Sequence, residues 1–114
     1  MKSYLYLNQD SKGKIAVSSY VFSQIATQTL LDLVKGSMKD CFIFDEKNKK
    51  TFVDSVVDTQ GKLTISVSII GITGKDMQKV SSSIQQEIYD NINEMFEIGK
   101  VNVNITILGM QEQK

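Results

Sequence analysis

The hydrophobic period changes twice between Leu63 and Ile107, and that pattern demands a layered packing of strands and helix. Leu63, Ile65, Val67 and Ile69 alternate with Thr64, Ser66 and Ser68, as in a strand with one apolar and one polar face. Met77, Val80, Ile84, Ile88, Ile92, Met95 and Phe96 then recur at steps of three and four, the stripe of an amphipathic helix. Val101, Val103, Ile105 and Ile107 return to alternation, now with Asn102, Asn104 and Thr106. Each of these elements has one apolar side that must be covered by another.

The first half of the chain reads similarly. Tyr4–Leu7 is a short strand or a docked arm, residues 10–13 are a turn, and Lys14–Val17 is a strand running into a helix. Ser18 or Ser19 can cap that helix, and Val21, Phe22, Ile25, Thr29, Leu30 and Leu33 define its apolar face. Gly36 is expected to stop it in the left-handed conformation. Asp40–Phe44 and Thr51–Val57 read as strands around a polar hairpin tip at 45–50, and Asp58–Gly61 as a turn, so 38–70 predicts a meander. Thr73 and Asp76 have capping-box spacing before the long helix. Gly99 ends it, and the polar tail from Gln111 to Lys114 is expected to fray. The prediction is an α+β fold of order (β)βαβββαβ, with two helices on one face of a mainly antiparallel sheet. One domain spans 13–110, preceded by an arm at 1–12 and followed by the tail at 111–114.

Composition narrows the chemistry. With 13 basic and 13 acidic residues the net charge is zero, without the basic excess that phosphate backbones select. The chain has no histidine and one cysteine. Histidine-based triads and the usual zinc sites are therefore excluded within it. Carboxylate or lysine catalysis stays formally open, but the carboxylates are scattered over turns and helix faces. No catalytic residue, metal or cofactor is expected. Cys41, in the apolar run Cys41–Phe44, reads as a small buried hydrophobe. A lone cysteine in so small a domain fits a reducing cytoplasm. The apolar stretch near Met1 is too short for a signal peptide, so membrane association would run through a partner.

Two regions are candidate sites. Gly71-Ile72-Thr73-Gly74-Lys75-Asp76 is too short between its glycines for a Walker loop and has Asp76 where a hydroxyl is needed. The same Gly71–Gly74 matches the GXXG clamp of KH domains, but here it joins a strand to a helix and the chain is neutral. The simpler reading is a turn, with Gly71, Thr73, Gly74 and Lys75 as a candidate anion or ligand loop at a helix N-terminus. The second region is Thr64, Ser66, Ser68, Asn102, Asn104 and Thr106. If their strands are neighbours they form one uncharged surface, either plainly solvated or packed against a partner or another copy. Lys47, Asn48, Lys49 and Lys50 are the one basic cluster, read as a solvated tip.

Three motifs in order carry a family resemblance. Gly13-Lys14-Ile15-Ala16-Val17-Ser18 enters a helix with Val21, Ile25 and Ala26 in place. Ile69-Ile70-Gly71 precedes the helix of Val80, Ile84, Ile88 and Ile92, and Gly99-Lys100-Val101-Asn102-Val103 leads to Leu108-Gly109-Met110. From Gly13 to Met110 the chain resembles the bacterial alkaline shock protein family, also called the Gls general-stress family. Ile70 stands where a Tyr often precedes the glycine, Ser37 replaces a usual Val, and 38–58 matches loosely. The resemblance implies no catalytic residues. It implies a cytoplasmic protein-interaction or assembly module linked to cell-envelope homeostasis or general stress, held in some members at the membrane by an anchor protein. A regulatory or small-ligand role in lipid metabolism is the alternative, and RNA binding a further one.

Overall fold

The computed structural model describes residues 3–9, 13–45, 47, 50–96, 98 and 100–112. The chain runs β1 (Tyr4–Gln9), β2 (Gly13–Ser18), α1 (Ser19–Lys35), β3 (Phe42–Ile43), β4 (Phe52–Val57), β5 (Leu63–Ile72), α2 (Met77–Phe96) and β6 (Val101–Gln111). Two helices and a mainly antiparallel sheet make the α+β fold that the periodicities predict. β3, β4 and β6 all pair with β5, while β1 and β2 form a separate two-stranded sheet.

Alternation decides the layering. Leu63, Ile65 and Ile69 of β5 are fully buried and Val67 is 1% exposed. They lie under Phe22, Ala26 and Leu30 of α1 and Val80, Ile84, Ile88 and Ile92 of α2, which belong to the same buried cluster. Each of these side chains other than Ala26 contributes roughly 1.5–3 kcal/mol on burial. The helices are joined to each other by Phe22 and Phe96, edge to face at 5.3 Å between centroids, and by Asn91 Nδ2 donating to Thr29 Oγ1 at 2.8 Å. β6 runs parallel to β5. A parallel pair needs a crossover, and α2 supplies it.

Several boundaries differ from the sequence reading. Ser18 is the N-cap of α1, its side chain accepting from Tyr20 N–H. Gly36 ends that helix at φ −125°, outside the left-handed region. The left-handed residue is Asp40, at φ 66°. A Cβ on Gly36 would lie 3.2 Å from Asp32 O, so close approach explains the glycine. The exit uses turns in which both Gly36 and Met38 donate to Leu33 O, bringing Met38 back against the core. The strand expected at Asp40–Phe44 therefore shrinks to Phe42–Ile43.

The expected meander is also absent from the described residues. β3 and β4 both run antiparallel to β5 and occupy successive stretches of it, at Ile70–Gly71 and Leu63–Ser68. Since β6 takes the other side of β5, they share one edge and run in the same direction along it. Thr51 closes the connection between them, accepting from Asp45 N and donating to Asp45 O. The hairpin between β3 and β4 that the sequence predicts is therefore not formed, since the two strands do not pair with each other. Met95, expected in the apolar stripe, is 67% exposed beside the cleft between the helices. Residues 10–12, Glu46, Asn48, Lys49, Gly99 and positions 113–114, about which the sequence made expectations, lie outside the described residues.

The β1–β2 hairpin is docked at its base. Leu5 and Val17 are buried, but Ile15, further out, is 45% exposed. Ser3 Oγ accepts from Val57 N at 2.9 Å, and Ser19 N donates to Ser3 O at 2.7 Å. Ser55 Oγ donates to Ser19 O and meets Ser23 Oγ. These contacts tie arm, helix and β4 together.

Replacing Ile84 by Ala should cost about 2–5 kcal/mol in urea unfolding. Met95→Ala, which removes an exposed side chain, should stay within about 0.5 kcal/mol of wild type.

Candidate interaction surface

The six polar residues singled out in the two alternating strands do come together. Register places Thr64 beside Asn102, Ser66 beside Asn104 and Ser68 beside Thr106. Because odd residues of β5 face the helices, these even ones face the other way. On the far side of β5 the same rows continue into β4, with Val56 beside Thr64, Asp54 beside Ser66 and Phe52 beside Ser68. The outer sheet face is therefore three strands wide, and among the described residues no helix lies over it.

Its chemistry differs from the sequence expectation in two ways. The face is not free of charge, because Asp54 is exposed directly across from Ser66. Ser68 is buried, at 7% exposure, between the rows of Phe52 and Thr106. Phe52 and Val56 are half-exposed, at 49% and 50%, so the β4 side is apolar on either side of Asp54 while the β6 side carries amides and hydroxyls. Sequence reasoning missed these two. In Phe52-Val53-Asp54-Ser55-Val56-Val57 apolar residues occur at both parities, so no alternation marks the outward set.

The candidate ligand loop is not one loop. Gly71 belongs to β5 and is buried; a Cβ there would meet Met110 Sδ at 2.5 Å. Ile72 is buried as well. Only Thr73, Gly74 and Lys75 form an exposed turn, with Gly74 at φ 92° and Thr73 N donating to Gln111 O at 2.9 Å. Asp76, not Thr73, caps α2: its Oδ1 accepts from Lys79 N at 3.2 Å. A carboxylate thus already occupies the helix N-terminus, where it would repel a bound anion.

A shallow cleft of about 670 Å³ runs between the helices, bordered by Val21, Ile25, Thr29, Asn91 and Met95. Its polar floor is internally satisfied, since Thr29 Oγ1 accepts from Asn91 and donates to Ile25 O. Among the described residues, no three His, Cys, Asp or Glu side chains gather to hold a metal. Cys41 is half-buried. No described helix is long and apolar enough to cross a membrane. The chain matches no protein-family model, no curated protein and no solved structure.

Asp76→Ala should lower stability by about 1 kcal/mol through loss of the cap, and Asp76→Asn should retain most of it. Chemical denaturation of the two variants measures this.

Proposed function

We propose that the chain is a non-catalytic protein-interaction module that docks a protein partner on the outer face of its sheet. The observation that carries this reading is the uncovered three-stranded face, with apolar Phe52 and Val56 beside Asn102, Asn104, Thr64 and Ser66. Such a surface suits association for an energetic reason. Amides and hydroxyls can exchange water for partner hydrogen bonds at little net cost, whereas buried unpaired charges are expensive. Here only Asp54 needs a counter-charge. The half-exposed phenylalanine supplies the kind of aromatic contact that commonly anchors interfaces.

The resemblance to alkaline shock proteins extends the proposal. It points to a cytoplasmic protein concerned with envelope homeostasis or general stress, brought to the membrane by an anchor protein.

The test is affinity capture from the native cell, comparing the wild type with Ser66→Lys and Phe52→Asp. Circular dichroism should show the same fold in both, with thermal unfolding nearly unchanged in Ser66→Lys and lowered by several degrees in Phe52→Asp, whose side chain is half-buried. Capture of the specific partner should fall by roughly tenfold or more in each variant. Undiminished complexes with both variants would count against the surface.

A further inference from the structure

We propose that β6 is a self-association edge, pairing antiparallel with β6 of a second copy about a two-fold axis at Asn104. The proposal rests on the reading of the chain as an interaction module, but it uses the rim of the sheet rather than the face centred on β5.

Among the described residues β6 pairs with β5 alone, which leaves one side of an 11-residue strand open. Open edges are usually guarded by charges, proline or a covering element. Val101-Asn102-Val103-Asn104-Ile105-Thr106-Ile107-Leu108-Gly109-Met110-Gln111 contains neither charge nor proline. α2 packs against this strand but covers its inner face incompletely. Val101, Val103 and Ile105 are only half-buried and Ile107 is 38% exposed, whereas their neighbours on β5 are 0–1% exposed. The adjoining groove of about 470 Å³ between β6 and α2 is lined on the helix side by Ser82, Gln85, Gln86 and Tyr89, all uncharged. One of them, Gln85, donates from Nε2 to Val103 O at 2.9 Å, and pairing with a second copy would have to replace or accommodate that bond.

The sequence of the edge favours a copy of itself as the occupant. An antiparallel two-fold centred on a residue pairs positions of the same parity, so the helix-side face of one copy continues into that of the other. β6 keeps uninterrupted register with β5 from Val101 to Ile107, and the midpoint of that run is Asn104. About this centre Asn104 meets its own copy, Val103 meets Ile105, Asn102 meets Thr106 and Val101 meets Ile107. Aliphatic side chains thus oppose aliphatic ones on the inner face, and polar ones oppose polar ones on the outer face. The charge pattern points the same way. A two-fold strand pair sets every side chain beside one from the same short segment, so any lysine or glutamate there would lie near its like. β6 has none. The product is one continuous sheet with both pairs of helices on the same side.

The experiment uses the full chain, in a Cys41→Ser background for the cross-linking arm. Sedimentation should show wild type in a concentration-dependent monomer–dimer equilibrium. Asn104→Glu and Asn104→Lys should each weaken the dimer by roughly 10- to 100-fold, because like charges then meet across the axis. Mixing the two variants should restore it. Asn104→Cys should form a disulfide dimer under mild oxidation, since directly opposed residues lie within disulfide reach. Thr106→Cys should not, because the axis places the two copies about 13 Å apart. Ser66→Lys, on β5, should remain dimeric even if it loses a partner, which separates this proposal from the outer-face reading. Wild type that stays monomeric at its highest soluble concentration would overturn the edge pairing. So would an Asn104→Glu protein that sediments as wild type, a mixture that stays monomeric, or Thr106→Cys cross-linking as readily as Asn104→Cys.

Discussion

Every other strand of the four-stranded sheet takes its register from β5, and β5 has little freedom of its own. Its odd-numbered residues are sealed at 0–1% exposure beneath the two helices. Strand side chains alternate faces, so a slip of one residue would turn Leu63, Ile65, Val67 and Ile69 into water and bury hydroxyls in their place. The helices impose the complementary constraint, since Val80, Ile84, Ile88 and Ile92 recur every fourth residue and form a single buried line. Once that line meets the odd residues of β5, the outward identity of Thr64 and Ser66 is settled. The rows they form with β4 and β6 follow. Core and surface are two results of one choice of parity.

The hairpin is held differently. A two-stranded ribbon is marginal by itself, and β1–β2 lies beyond the four-stranded sheet. Its attachment is concentrated where Leu5 and Val17 enter the core and where Ser3 bridges Ser19 and Val57. Buried Ser19 and Ser55 belong to the same group of contacts. Among the described residues, no buried side-chain polar atom lacks a partner. Short hydroxyls suit this corner because they bond to nearby backbone without filling much volume.

What could be read from the sequence depended on whether a segment obeys one period. β5, α2 and β6 each carry a single clean pattern, and their type and inward faces follow from it. β4 does not: Phe52, Val53, Val56 and Val57 offer apolar residues to either face, and only pairing with β5 shows that Phe52 and Val56 point outward. That ambiguity hid Asp54 from the candidate surface. Polarity between β3 and β4 carries no information about whether the two strands pair with each other or run in the same direction along β5. At the start of α2 both Thr73 and Asp76 are chemically able to cap. Extension of β5 through Gly71 and Ile72 moves the helix start to the second of them. Glycine at 71 likewise signals an unusual position without saying whether a ligand or a neighbouring Met110 side chain requires the space.

The parallel pairing of β5 with β6 also bears on how the chain reaches this state. β4 and β5 are joined by a short turn at 58–62 and can zip together locally, whereas β6 must wait until the whole of α2 has been spanned. Bringing distant segments together costs loop-closure entropy before any reward, so long-range parallel contacts form slowly. During synthesis the ribosome delivers β6 after both helices, and for that interval one side of β5 has no strand beside it. Until then that side of β5 is open to mispairing, and the arrival of β6 moves the exposed edge from a strand sealed in the core to one at the rim.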